Sequence, residues 1–259
     1  MKKDNLSIKI IQTTLFWEDE KANLHAFEPL ISAGKKADLV LLPEMFATGF
    51  SMQPEIYADG SDRVLGWMQK MAINTGQALC GSAMVEEEGK YFNRLYFVKP
   101  DGDTSYYDKR HLFTMGQEPE HYSAGMERLI VHYLGWKILP LVCYDLRFPV
   151  FSRNDVGYDL LLYVANWPEV RSTHWRTLLR ARAMENQAYV LACNRVGIDG
   201  NGIDHSGDSA VIDFRGEVMA ECSHEAKILE ETLSYSELQE AREKFPVLGD
   251  ADDFSADWK

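Results

Sequence analysis

Three chemically reactive residues follow or interrupt segments that the sequence pattern predicts to be buried. Glu44 follows the apolar run 38–42, and Cys143 follows the apolar run 138–142. Lys109 stands at a predicted strand end between Tyr107 and Phe113, which could turn its ammonium group inward. A cysteine with a carboxylate to accept its proton is a standard pair for covalent catalysis. The sequence therefore predicts a cysteine nucleophile.

Each of these residues also has an ordinary structural interpretation. A cysteine after a strand usually packs in the core, and glutamate and lysine usually face solvent. Cys143, however, precedes a predicted strand-to-helix turn, where a helix N-terminus favours the thiolate. Glu44 is followed by the apolar Met45 and Phe46, so a partly buried general base is expected there.

Alternating strand-like and helix-like segments position these residues. Strands are predicted at 6–12, 38–42, 78–85, 91–99, 160–165, 189–194, 209–214 and 217–220, a hairpin at 129–133 and 136–142, and helices at 17–33, 63–75 and 172–186. This alternation favours α/β sheets covered by helices. Ligands of such folds bind outside the carboxyl ends of the strands, where Glu44, Cys143 and Asn166 stand.

Composition limits the partners and the compartment. A net charge of −13 disfavours nucleic-acid binding, which needs clustered cations. The sequence has no polybasic membrane patch, no unbroken apolar run at its start and no run of about 18 apolar residues. We therefore expect a soluble cytoplasmic protein with a small-molecule partner, and neither nucleic acid nor membrane.

The cysteines and histidines give little support to other chemistries. Cys80, Cys193 and Cys222 are predicted to be small buried hydrophobic residues with reduced thiols. No second cysteine lies near Cys143 in sequence, which disfavours a redox protein. The seven histidines lack metal-ligand spacing, and no Gly-x-Ser-x-Gly elbow is present. We expect no metal and interpret His111 and His174 as structural residues near the site.

Three ordered segments resemble the nitrilase (carbon–nitrogen hydrolase) superfamily. They are Leu-Leu-Pro-Glu at 41–44, Tyr-Asp-Lys-Arg-His-Leu-Phe at 107–113 and Cys-Tyr-Asp-Leu-Arg-Phe-Pro at 143–149. The resemblance continues through 174–186 and 206–209, and it extends from about residue 6 to about 232. It implies a four-layer α-β-β-α sandwich of two mixed sheets flanked by helices. It also implies one domain, 1–259, whose C-terminal helix and tail occupy 233–259.

The resemblance implies a Glu–Lys–Cys catalytic triad without a cofactor. Cys143 would attack an amide carbon, and Glu44 would take its proton and later activate water. Lys109 and a backbone N–H near residue 144 would stabilise the oxyanion. The family's second glutamate corresponds to Glu118 by its distance to Gly125, with Glu120 as the competing assignment.

Segments 44–50, 164–168 and 245–254 are most similar to the ω-amidase branch. This similarity implies hydrolysis of the terminal amide of 2-oxoglutaramate or 2-oxosuccinamate through a cysteine thioester. The expected apolar sleeve comprises Phe46, Tyr144, Asn166 and Trp167, the last of which could equally be core packing. Arg147 could bind the substrate carboxylate or form a buried structural ion pair.

Other members of the superfamily remain open as alternatives. An N-carbamoyl or aliphatic nitrile hydrolase would share the triad, whereas a non-catalytic scaffold should have lost one of its three residues. By the same resemblance, we expect a homodimer that pairs through helix 172–186 and the segment after Arg147. The acidic tail 249–259 has the composition of a mobile segment, although Phe254 and Trp258 could reach a partner.

Overall fold

The computed structural model describes residues 3–58 and 61–252. The strands in these ranges are β1 (Asn5–Gln12), β2 (Leu39–Leu41), β3 (Ala78–Glu87), β4 (Lys90–Val98), β5 (Thr104–Asp108), β6 (Val131–Tyr133), β7 (Trp136–Val142), β8 (Leu160–Ala165), β9 (Tyr189–Asn194), β10 (Ala210–Ile212), β11 (Val218–Glu221) and β12 (Lys227–Ser234). The α-helices are α1 (Glu20–Ser32), α2 (Pro54–Tyr57), α3 (Ser61–Thr75), α4 (Glu118–His121), α5 (Ser172–Asn186) and α6 (Tyr235–Lys244).

The strands form two six-stranded mixed sheets. The first has the order β12-β1-β2-β3-β4-β5, in which β1, β2 and β3 are parallel. The second has the order β11-β10-β9-β8-β7-β6, in which β7, β8 and β9 are parallel. Antiparallel strands complete both edges of each sheet.

Side chains of the first sheet alternate between two apolar layers. Leu39 and Leu41 of β2 join the core shared with the second sheet. Val40 and Leu42 pack with apolar residues of α1 and α3 on the opposite face. Helix α5 packs its buried face, which includes Trp175, against the second-sheet core. This arrangement confirms the predicted α-β-β-α sandwich.

Several elements have the bounds expected from the sequence. β8, β9 and α5 match the predicted segments residue for residue. The predicted hairpin is β6 and β7, joined by Leu134 (φ 50°) and Gly135 (φ 87°). Two consecutive positive φ values are typical of the tight hairpin turn that suits twisted strands. Helix α1 begins later than predicted because the Asp19 side chain accepts the N–H of Ala22 (3.0 Å) and caps the helix there.

The C-terminal part contains a strand that the sequence pattern did not predict. β12 pairs antiparallel with β1, from Asn5 opposite Ser234 to Gln12 opposite Lys227. Helix α6 follows and buries Leu238. The predictions for Phe254 and Trp258 concern residues outside the described ranges.

No helix within residues 3–58 and 61–252 combines the length and the apolar character needed to span a lipid bilayer. Cys80, Cys193 and Cys222 are buried free thiols, as predicted.

Candidate active site

The ammonium group of Lys109 lies at the centre of a buried charge cluster. Its backbone extends β5 by one residue, because its N–H donates to the carbonyl of Asn93 (2.9 Å). Its side chain is fully buried, and Nζ lies 2.9 Å from Oε1 of Glu44 and 2.9 Å from each carboxylate oxygen of Glu118. Three oxygens therefore occupy the three donors of the ammonium group.

The two carboxylates keep Lys109 charged. Burial alone would lower the lysine pKa, but Glu118 and Glu44 raise it well above its ordinary value. Burial raises the pKa of Glu118, the charge of Glu44 adds to this, and Lys109 opposes both. Glu120, the competing candidate, is exposed, so the structure brings Glu118 alone of the two to Lys109.

Glu44 is held by groups from three segments: Lys109 after β5, Asn93 within β4 and Asn166 after β8. Besides Lys109, Oε1 accepts Nδ2 of Asn93 (2.8 Å), and Oε2 accepts the backbone N–H of Asn166 (2.8 Å). Nδ2 of Asn166 donates to the carbonyl of Glu44 (2.6 Å). Because Asn166 directly follows β8, these bonds tie the glutamate of the first sheet to the second sheet. Asn93 also donates to Glu118 (3.3 Å).

Cys143 lies at a sharp turn between β7 and the 3-10 helix Cys143–Arg147. Its φ of 45° is in the left-handed region, which few residues other than glycine adopt without support. Asp145 supplies that support, because its Oδ2 accepts the N–H of Val142 (2.9 Å) and the hydroxyl of Tyr107 (2.8 Å).

The same carboxylate connects the cysteine turn to the lysine segment. Oδ1 of Asp145 accepts the backbone N–H (3.0 Å) and the Nδ1–H (2.8 Å) of His111. Tyr107 and His111 flank Lys109 in sequence, so Asp145 fixes the turn of Cys143 relative to the lysine. The ring of His111 stacks on Phe148 at 3.8 Å, which agrees with the structural role expected for this histidine.

The ionisation of Cys143 differs from the sequence expectation. Burial, followed by the negative charge of Glu44, raises the thiol pKa well above its ordinary value, although Lys109 opposes the change. Both effects favour the neutral thiol over the thiolate that a helix N-terminus was expected to favour.

A cavity of about 260 Å³ opens beside Cys143. Its lining residues include Phe50, Met52, Phe113, Met115, Cys143, Tyr144, Arg147, Asn166, Trp167, Arg171, Asp199, Asn201, Ile203 and His205. Tyr144, Asn166 and Trp167 thus lie where the substrate sleeve was predicted. Trp167 also packs on Trp175 at 5.3 Å, so it forms both cavity wall and core.

The structure contradicts the prediction that Phe46 lines the sleeve. Phe46 is fully buried on the helix-covered face of the first sheet, with its ring 5.5 Å from Phe27 and 5.8 Å from Trp67. Met45 (φ 44°) reverses the chain directly after Glu44, and Phe46 then packs into the apolar cluster with α1 and α3. Phe50, four residues later, takes the cavity position, and its ring lies 5.0 Å from Nζ of Lys109.

Arg147 lines the cavity and contacts His174. Nη2 of Arg147 donates to Nδ1 of His174 (2.6 Å), and its guanidinium lies 5.1 Å from the Trp167 ring centre. Within residues 3–58 and 61–252, no carboxylate lies within salt-bridge distance of Arg147, so this part of the chain gives it no structural ion pair.

Sequence reasoning missed Asn93 and the segment 199–205. Asn93 follows the aromatic residues Tyr91 and Phe92 in β4, and a polar amide at this point of the strand was the available signal. Segment 199–205 is rich in glycine, aspartate and asparagine and looks like an ordinary turn, yet it contributes Asp199, Asn201, Ile203 and His205 to the cavity.

The described residues contain no group of three or more His, Cys, Asp or Glu side chains that could hold a metal ion. The site's own groups are a thiol, two carboxylates and an ammonium. Such a set can perform nucleophilic and acid–base chemistry on a carbonyl compound.

Comparison with known proteins agrees with this geometry. Residues 7–243 match the carbon–nitrogen hydrolase family. The chain is 49% identical over 250 residues to omega-amidase YafV of Escherichia coli (strain K12), covering 96% of this chain and 98% of that protein. It is 33% identical to the 2-oxoglutaramate amidase of Bacillus subtilis (strain 168), with 94% and 96% covered.

A solved structure is also closely similar. XC1258 from Xanthomonas campestris, described as a CN-hydrolase superfamily protein with an arsenic adduct in its active site, superposes with a TM-score of 0.96. The two chains are 43% identical, and the match covers 98% of this chain and 100% of that one. With a matching family over most of its length and relatives at nearly half identity, this chain belongs to the carbon–nitrogen hydrolase family.

Proposed function

We propose that the chain is an amidohydrolase that cleaves the terminal amide of 2-oxoglutaramate and similar small 2-oxo acid amides. The observation that carries this proposal is the buried cluster of Lys109, Glu44 and Glu118 beside the thiol of Cys143, in a cavity of about 260 Å³. That volume is below the ~300–1,000 Å³ of cavities that hold drug-sized ligands, which favours a small substrate. The activities named for the relatives support the same substrate class.

In the proposed first step, Sγ of Cys143 attacks the amide carbon while Glu44 takes the thiol proton. Because burial raises the pKa of Cys143, little thiolate exists beforehand, and proton transfer must accompany attack. Glu44 suits this role because its carboxylate is fully buried and fixed by Asn93 and Asn166.

Lys109 is proposed to stabilise the oxyanion in concert with that transfer. At rest its three donors face carboxylate oxygens. When Glu44 becomes protonated, its Oε1 becomes a weaker acceptor, which releases one donor of Lys109 for the new oxyanion. The N–H of Tyr144, in the first turn after Cys143, is the proposed second donor.

The remaining steps return the groups to their starting state. The tetrahedral intermediate collapses, Glu44 gives its proton to the leaving nitrogen, and ammonia departs to leave a thioester on Cys143. Water, deprotonated by Glu44, attacks the thioester, and the thiolate leaves and recovers the proton. One amide and one water thus give one carboxylic acid and one ammonia.

The deciding experiment measures ammonia release from 2-oxoglutaramate, succinamate, glutamine, asparagine, an N-carbamoyl amino acid and a simple nitrile. We expect 2-oxoglutaramate or succinamate to be the fastest, and Cys143→Ala to abolish turnover. Lys109→Met should be nearly as severe. Cys222→Ala is the matched control, because Cys222 is also a buried free thiol but does not line the cavity.

Preference for the nitrile or the carbamoyl compound would retain the triad and overturn the substrate assignment. Normal turnover by Cys143→Ala would overturn the mechanism itself.

We further propose that two copies pair through α5 and the segment after Arg147. Val150 in that segment is 49% exposed and Met184 of α5 is 50% exposed, so both offer apolar surface that a partner could cover. Light scattering should give twice the chain mass, and a monomer would contradict the proposal.

We also propose a single domain over residues 1–259 and a cytoplasmic location. Leu238 of α6 belongs to the same core as strands of both sheets, which supports one folding unit. The four cysteines are free, which supports a reducing compartment. One cooperative melting transition and recovery in the cytoplasmic fraction are the expected results.

A further inference from the structure

The guanidinium group of Arg171 stands on the wall of the cavity beside Cys143. Arg171 ends the 3-10 helix Glu169–Arg171, and its backbone carbonyl accepts Nε1 of Trp167 (2.8 Å). Its side chain is half-buried, and the guanidinium carbon lies 5.1 Å from the ring centre of Phe113. Among residues 3–58 and 61–252, no side chain or carbonyl forms a hydrogen bond or ion pair with this guanidinium.

The other charged groups of the cavity, Arg147 and Asp199, each have a polar protein partner. Arg147 donates to His174 and lies over Trp167. Asp199 turns its carboxylate to its own loop, where Oδ1 accepts the N–H groups of Asn201 (2.8 Å) and Ile203 (3.0 Å). Arg171 therefore has donors that a ligand can use without displacing a protein contact.

Phe113 gives this cation a fixed platform. The ring of Phe113 meets that of Tyr144 edge to face at 5.1 Å, and its backbone N–H donates to Oε2 of Glu118 (2.6 Å). A guanidinium supported on an aromatic face presents a planar fork that matches a carboxylate with two parallel hydrogen bonds.

We propose that Arg171 is a specificity-determining residue that binds the carboxylate of the substrate, and so selects anionic amides over neutral ones of the same length. This inference rests on the proposed function and names the recognition element of the same cavity. The carboxylate is remote from the reacting carbon and keeps its charge throughout the reaction. Its binding should therefore act mainly on KM rather than on kcat.

The test compares succinamate with butanamide, in which a methyl group replaces the carboxylate. For Arg171→Met, we expect kcat/KM on succinamate to fall about 10- to 100-fold, the effect of one lost charge-assisted interaction. The loss should appear chiefly in KM, and butanamide turnover should change far less. Arg171→Lys should restore part of the loss, because it keeps the charge without the fork.

A second measurement does not depend on turnover. Calorimetric titration of succinamate into Cys143→Ala should show binding that weakens when Arg171→Met is added. Arg63→Met is the control, since Arg63 pairs with Glu20 on the surface and lies outside the cavity.

Equal losses on succinamate and butanamide, or no loss on succinamate, would overturn the assignment of Arg171. A wild-type protein that hydrolyses butanamide but no carboxylated amide would instead overturn the proposed function, and the recognition role would fail with it.

Discussion

Replacing Glu118 with glutamine exchanges one carboxylate oxygen of the buried cluster for an amide nitrogen and leaves the size of the side chain nearly unchanged. In the native cluster both oxygens of Glu118 accept Nζ of Lys109 at 2.9 Å, Oε2 also accepts the N–H of Phe113 (2.6 Å), and Oε1 accepts Asn93 (3.3 Å). Glutamine keeps one acceptor, which should stay at the Oε2 position where two short bonds meet. Its amide nitrogen must then face two donors, Lys109 and Asn93.

The expected losses follow from that mismatch. Removing one charged hydrogen bond should lower the free energy of unfolding by about 1.5–3 kcal/mol. Misplacing Lys109 should cost as much as one oxyanion donor, a fall in kcat of about 10²- to 10³-fold. Since Glu118 is a leading cause of the raised lysine pKa, the substitution should also lower that pKa toward its ordinary value.

The assays are thermal melting and a pH profile of kcat/KM with 2-oxoglutaramate. Glu120→Gln is the matched control, because Glu120 lies in the same helix α4 but is exposed. Wild-type kcat in a destabilised Glu118→Gln would refute the positioning role and leave Glu118 as a structural residue.

Three more substitutions test other parts of the site. In the native site the two oxygens of Asp145 accept four donors, and Asp145→Asn leaves only one of these oxygens. We expect kcat to fall about 10-fold or more with little change in KM. An unchanged kcat would contradict the link between the Cys143 turn and the Lys109 segment. Gly125→Ala would put a Cβ 2.1 Å from the carbonyl oxygen of Asp108, so melting should reveal a loss of about 1–3 kcal/mol and kcat should fall with it. Burial, and then Arg195, lower the pKa of His205. Protonation of His205 therefore favours the unfolded state. Its contribution to stability should be intact above about pH 6.5 and decline as the pH falls through the folded-state pKa of His205. Melting at successive pH values should reveal this decline, and it should be smaller in His205→Gln.

The sequence predicted the elements whose pattern is local. β8, β9 and α5 have continuous apolar runs or helical spacing, and their observed bounds match the predicted ones. β12 escaped prediction because Glu230 and Glu231 mask the apolar alternation, and its partner β1 is more than 200 residues away in sequence. Pairing over such a distance leaves no local pattern.

In the candidate site, too, the sequence predicts the features that depend on a local pattern and misses those that depend on tertiary structure. The sequence pattern indicates that Glu44, Lys109 and Cys143 each follow the end of a strand. In the structure, Nζ of Lys109 lies 2.9 Å from Oε1 of Glu44. The direction of Phe46 depends on the positive φ of Met45, which residue type does not indicate. The protonation of Cys143 depends on burial and on the charge of Glu44, and both arise only when the two sheets meet.

The proposed mechanism depends on a thioester on Cys143 during turnover, which rapid-quench mass spectrometry of the intact protein would detect. Mixing with 2-oxoglutaramate should produce a mass increase equal to the substrate minus ammonia, located on the peptide that contains Cys143 and absent in Cys143→Ala. Ammonia release without any adduct, or an adduct on Cys80, Cys193 or Cys222 instead, would contradict the proposed mechanism.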